Sequence, residues 1–241
     1  MIYSKDYTTS WHDTDFNRFV RPTPLLVYFE ETSNLHVASM GKSLDEIRDE
    51  VGLGFILSRL TMKFYKPIEA YKNMRVDTFT SEGRAFSSLR SFRAVVDGEV
   101  VAEALTVWAL VDVNEKKPVK ISSYDFGFKH EPPIEIDAPQ RVAFPKDIVL
   151  SLVGEREIYY TDCDYNGHMN NTKYPDMICD FLPNIKEKRL SSLTLSFVRE
   201  GKMGNKLSVY RGQKDENTYL IRTVDGDGNT CLEAEAVVEN I

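Results

Sequence analysis

Asp13-Thr14-Asp15-Phe16-Asn17 and Asp162-Cys163-Asp164-Tyr165-Asn166 read DTDFN and DCDYN, an offset of 164 − 15 = 149 residues. Each copy follows a strand-like stretch and precedes a helix-like one. A second pair comes after each copy in the same order: Leu60-Thr61-Met62-Lys63-Phe64-Tyr65-Lys66 against Leu193-Thr194-Leu195-Ser196-Phe197-Val198-Arg199. Both alternate apolar and polar residues, as a half-buried strand requires. A third pair is Val96-Asp97-Gly98 against Val224-Asp225-Gly226. Asp-Gly between alternating runs predicts a tight hairpin, because that turn needs positive φ angles. One such match would be noise, but three in one order imply two copies of one module.

The surrounding pattern agrees. In the first half, Thr23 to Met40 carries Leu25, Leu26, Phe29, Leu35 and Val37 at helical spacing, with Gly41 as a C-cap candidate. Strand-like runs follow near 54–66, 74–83, 86–96 and 100–113. In the second half, 151–161 is strand-like, 172–182 is a short helix candidate, and strands are expected near 191–199, 206–213, 218–224 and 230–239. Each half is thus a strand, one helix and an antiparallel meander, an α+β pattern. Pro132, Pro133, Pro139 and Pro145 mark the stretch between the halves as an extended linker. A single sheet with one helix leaves an open edge; two copies side by side give one continuous sheet with two central helices.

Composition narrows the function classes. The 241 residues are 42% hydrophobic and 28% charged, which suits a packed globular protein. A net charge of −7 demotes nucleic acid as a partner. No apolar run reaches the roughly 20 residues that a membrane-spanning helix needs. The N-terminal MIYSKDYTTSWHD shows neither a signal core nor transit-peptide character, and Cys163, Cys179 and Cys231 form no CxxC pair, so a reducing, cytoplasmic location is expected. No spacing of His, Cys, Asp or Glu suggests a metal, no glycine loop suggests a phosphate cofactor, and no GxSxG elbow suggests a serine hydrolase.

The segment with chemical potential is Asp164-Tyr165-Asn166-Gly167-His168-Met169-Asn170-Asn171-Thr172-Lys173-Tyr174. Asp164, Asn166 and His168 fall at i, i+2 and i+4, which in extended chain places all three on one face. A helix starting near Asn171 would offer unpaired N–H groups to a carbonyl oxygen. Spacing alone favours a structural role, since Asn-Gly is a turn signal and Asp or Asn an ordinary cap. The copies break the tie: at the place of His168 the first copy has Phe19, and for Asn170-Asn171 it has Arg21-Pro22. The turn therefore does not need the imidazole. His12, His36 and His130 are expected to be structural or solvent-exposed.

The motif D-x-N-x-H-M-N-N-x-K-Y over Asp164 to Tyr174 resembles the first signature of the acyl-ACP thioesterases. Leu193 to Glu200, LTLSFVRE, resembles the second, a strand ending in Arg-Glu-Cys, and WHDTDFNRFVRPT in the first half also fits. The resemblance spans nearly the whole chain and, with no transit peptide, points to a bacterial member. It implies a double hotdog: two antiparallel sheets in tandem, each wrapped round a central helix. Residues 1–125 would hold the acyl chain and a degenerate site, 126–148 would link, and 149–241 would be catalytic. It implies hydrolysis of the thioester between a fatty acyl chain and the phosphopantetheine of acyl carrier protein (ACP), ending chain elongation without a cofactor. It also lifts Glu200, otherwise a solvated strand-end charge, into a catalytic set with Asp164, Asn166 and His168. Glu200 or Asp164 would activate water or attack directly; the split between them is open. Gly201 departs from the family pattern, which often has Cys there. Leu25, Leu26, Phe29 and 53–57 are candidates to line the acyl tunnel, and Lys186, Lys188 and Arg189 to meet acidic ACP. An acyl-CoA thioesterase, a hotdog dehydratase and a non-catalytic acyl-binding module are the alternatives, and a homodimer stays open.

Overall fold

The computed structural model describes all 241 residues. The alternating runs become strands in chain order: β1 (Tyr3–Thr8), β2 (Leu53–Phe64), β3 (Asn73–Arg84), β4 (Ser87–Val96), β5 (Glu99–Asp112), β6 (Lys117–Pro118), β7 (Ser151–Glu157), β8 (Lys188–Phe197), β9 (Lys206–Gln213), β10 (Thr218–Val224) and β11 (Thr230–Asn240). The helices are α1 (Pro22–Ala38), α2 (Leu44–Val51) and α3 (Tyr174–Asp180). None of them is long and apolar enough to cross a membrane. Contacts divide the chain into two units: Met1–Val20, Pro24–Ser58 and Tyr65–Asp137 form the first, and Arg21–Thr23, Arg59–Phe64 and Ala138–Ile241 the second.

In the first unit the strand order is β1-β3-β4-β5-β2, with β1, β3, β4 and β5 paired antiparallel. Burial alternates at the start of β3, where Met74 and Val76 point inward between exposed Asn73 and Arg75. The buried stripe of α1, Leu25, Leu26, Phe29, Ser33 and Val37, recurs every three or four residues as a core-facing helix demands. Phe29 stacks on Phe92 of β4, ring centroids 5.1 Å apart. Leu25, Leu26 and Phe29 are thus packed core. The β4–β5 hairpin turns at Asp97 (φ +51°) and Gly98 (φ +79°), as its Asp-Gly pair requires. Helix α2 was not expected from the sequence. Its signals are the reciprocal cap between Ser43 and Glu46 and left-handed Gly52 at its end.

The second unit runs β2-β8-β11-β10-β9-β7, every neighbour antiparallel, with the Arg59–Lys63 part of β2 pairing β8. Its helix is short: Asn171–Lys173 make a 3-10 turn and α3 adds seven residues before Pro183. Tyr174, Pro175, Met177 and Ile178 are its buried face. The predicted Asp225-Gly226 hairpin is instead a wider loop. Asp225 Oδ1 accepts N–H groups from Asp227 (3.0 Å) and Asn229 (2.9 Å), and positive φ falls on Gly228. The side chain replaces the tight backbone turn.

The proline-rich stretch has no regular structure from Tyr124 to Leu150, yet it is not loose. Phe126, Ile134 and Ile136 are buried, and Glu131 N–H donates to Thr80 O at 2.9 Å.

Candidate active site

Asp162 anchors the second-unit turn. Its Oδ2 accepts Tyr159 N–H at 2.9 Å and its Oδ1 accepts Arg156 Nη2 at 2.7 Å. The chain then reverses: Gly167 N–H donates to Asp164 O (3.0 Å) and Asp164 N–H to His168 O (2.9 Å). Asp164 Oδ1 accepts Asn166 N–H at 2.8 Å, and the Asn166 side-chain amide reaches Oδ2 at 3.4 Å. Gly167 carries φ +76°, which a side chain would make costly. His168 then pairs with Lys202, and Met169 N–H donates to Gly201 O at 2.8 Å. That short ladder brings the imidazole to the strand-end carboxylate: His168 Nδ1 lies 3.2 Å from Glu200 Oε2, with side chains 27% and 56% exposed. Both groups are open to a substrate arriving from solvent.

The four candidate residues therefore sit in one place, but not as extended chain. Asp164 to Gly167 is a turn, because the Asp164 carboxylate captures the Asn166 backbone as in an ordinary Asx turn. Three of the expected helix N–H donors are committed. Asn170 Oδ1 accepts Thr172 N–H at 2.9 Å, Lys173 N–H goes to Asn170 O, and Asp176 N–H goes to Thr23 Oγ1 at 3.1 Å. Cys163 Sγ lies 3.5 Å from Tyr159 O. A Cβ built on Gly201 would come within 2.5 Å of Ile158 Cδ1 and 3.2 Å of Tyr174 Oη, so this backbone leaves no ready space for a cysteine there. Burial raises the Tyr174 phenol well above its ordinary pKa, so it stays protonated. Of the proposed basic patch, Arg189 pairs with Glu239 and Lys188 Nζ reaches Asn217 Oδ1 at 3.5 Å.

The first unit repeats the turn with different side chains. Asp15 Oδ1 accepts Asn17 N–H at 2.8 Å, Asp15 N–H donates to Phe19 O at 2.9 Å, and Arg18 takes positive φ (+66°). Phe19 bridges Glu69, and Val20 N–H donates to Ile68 O at 2.7 Å. The pairs Phe19/Glu69 and His168/Lys202 differ by 168 − 19 = 149 and 202 − 69 = 133. The second offset aligns Glu200 with Pro67. Imidazole and carboxylate are thus absent together from the first copy. The sequence holds this signal one residue beyond the aligned strands, past Lys66 and Arg199.

Two related α+β units, one of them carrying an exposed imidazole–carboxylate pair, define a protein equipped for acid–base chemistry on a surface-delivered substrate. A search among curated proteins finds no match. The acyl-ACP thioesterase N-terminal domain model matches residues 1–124 and the C-terminal domain model residues 150–236. The fold is that of an acyl-ACP thioesterase from Bacteroides thetaiotaomicron, at TM-score 0.89 and 22% identity over 99% of this chain and 98% of that one. It is also that of the 12:0-ACP thioesterase of Umbellularia californica, at TM-score 0.88 and 15% identity over 100% of this chain and 98% of that one. The chain belongs to the acyl-ACP thioesterase family and is a thioester hydrolase acting on fatty acyl-ACP.

Proposed function

We propose that the thioester is cleaved at His168 and Glu200, on a double hotdog whose residues 1–125 take the acyl chain and whose residues 149–241 do the chemistry, joined by 126–148. The 3.2 Å His168 Nδ1–Glu200 Oε2 contact carries the proposal. With the ring proton on Nδ1 donated to Glu200, Nε2 is the free base. Nε2 takes a proton from water as the oxygen attacks the thioester carbonyl. The C–S bond of the tetrahedral intermediate then breaks, and the proton on Nε2 passes to the phosphopantetheine thiolate. Free fatty acid and the ACP thiol leave, and the imidazole is restored. General acid–base catalysis of this kind contributes about 10²–10⁴-fold. Because Glu200 is engaged with the imidazole, water is a better nucleophile here than the carboxylate itself. Asp164 and Asn166 act by position: their mutual hydrogen bonds set the turn that presents His168. Arg199 and Lys202 flank Glu200, are exposed and form no ion pair, which suits an acidic carrier.

The test is free-thiol release from a panel of acyl-ACP and acyl-CoA substrates, wild type beside His168→Ala. Faster release from acyl-ACP and loss in the variant is the expected result. Equal or better turnover of acyl-CoA would shift the carrier assignment, and full activity in His168→Ala would remove this site.

A further inference from the structure

The first unit holds a buried charge that no carboxylate of the protein neutralises. Arg90 on β4 is 5% exposed. Its Nη1 faces His36 Nδ1 at 3.0 Å and Thr78 Oγ1 at 3.3 Å. Its Cζ lies 5.6 Å from the centroid of the Phe128 ring. No ion pair includes it, whereas the neighbouring β4 arginine, Arg93, is paired with Glu103. Arg90 lines a pocket with Ser33, Asn34, Ser88 and the apolar Val37, Phe55 and Trp108. The room inside is about 40 Å³, enough for roughly three waters or one carboxylate group.

His36 supports a cationic floor. Burial, then the field of Arg90, push its pKa down to about 4, so at neutral pH the ring is uncharged and its Nδ1 accepts from the guanidinium. The pair therefore carries one net positive charge inside the protein. The side-chain hydrogen bonds of Arg90 run from Nη1, and the other edge of a guanidinium has the fork geometry that binds a carboxylate in two places. Apolar walls above a cationic floor fit an amphiphile.

We propose that this pocket binds the carboxylate of an aliphatic acid through Arg90, with the near end of the chain against Val37, Phe55 and Trp108 and the rest extending out through the open mouth. The ligand is either a free fatty acid, which is the product of the reaction, or an acyl chain whose far end carries a carboxyl group. The inference deepens the placement of the acyl chain in this unit, but its first test contains no thioester.

Octanoate and octanol are titrated calorimetrically into the full chain, wild type, Arg90→Met and Arg90→Lys, with folding checked by circular dichroism. Octanoate should bind wild type at least about ten-fold more tightly than octanol, a difference worth about 1.4 kcal/mol. Arg90→Met should erase the difference and Arg90→Lys keep part of it. Equal binding of acid and alcohol by wild type, or unchanged octanoate binding by a folded Arg90→Met, overturns the proposal. Thiol release then separates the two sources. A lower KM for 7-carboxyheptanoyl-ACP than for octanoyl-ACP, lost in Arg90→Met, assigns the chain end. Acid binding without that preference assigns the free product. Loss of thiol release with octanoate binding intact would remove the hydrolytic mechanism and leave this site standing.

Discussion

The turns at Asp15 and Asp164 are the same construction carrying different chemistry. Each uses an aspartate to hold the backbone two residues on, a positive φ three residues on, and a bridge to a following strand end. In one, the bridge delivers Phe19 beside Pro67-Ile68; in the other it delivers His168 beside Glu200-Gly201. The conserved part is backbone geometry and the divergent part is proton chemistry. Aspartate builds the turn in both copies, and the imidazole–carboxylate pair is present in one of them.

The severest test of that separation is to write the first copy into the second. His168→Phe should lower kcat for acyl-ACP by about 10³-fold while melting temperature stays within about 2 °C of wild type. A collapse in stability would show that the imidazole also holds the turn. The two histidines differ as well. His36 is 1% exposed with a pKa of about 4 against an ordinary 6.5. As pH falls, the unfolded chain takes this proton first. The contribution to stability is complete above pH 6.5 and is lost as pH falls through 6.5 to 4, on the order of 3 kcal/mol in all. Denaturant unfolding at pH 7 and pH 4 should show a smaller acid loss for His36→Gln than for wild type; an equal loss would refute the assignment.

Glu200→Gln keeps the shape of the pair and removes its charge. Turnover should fall by about 10²-fold with KM little changed; unaltered turnover would leave His168 without its partner. A finer distinction comes from Asp15→Ala and Asp164→Ala. Both should lower the melting temperature by about 3 °C, as loss of a backbone-capping carboxylate does. Only Asp164→Ala should also slow thiol release, because only that turn presents an imidazole. Slowing by both would make the comparison of the copies invalid. The smallest effect belongs to the positive-φ positions. Arg18→Gly should raise the melting temperature slightly and Gly167→Ala lower it, since a side chain at that φ is strained.

Much of the molecule was legible in one dimension. Strands β2 to β5 and β8 to β11 follow from alternation, because burying one face of a pleated strand writes a period of two into the sequence. The duplication and the placing of the imidazole in one copy came from comparing DTDFN with DCDYN. Helix α2 escaped because its eight residues bury only Ile47, leaving no apolar stripe to see. The grouping of His168 with Glu200 came from the family resemblance alone, and no pattern within the chain shows their contact. The residues are 200 − 168 = 32 apart, and their 3.2 Å contact depends on a bridge between a turn and a strand end. Periodicity reports which side of an element faces the core. It is silent on which turn meets which strand, so the sequence determined the elements, the repeat and the residue types. Tertiary structure alone decided that Asp164 would spend its oxygens on the backbone, that Glu200 would meet His168, and that Arg90 would be buried without a carboxylate.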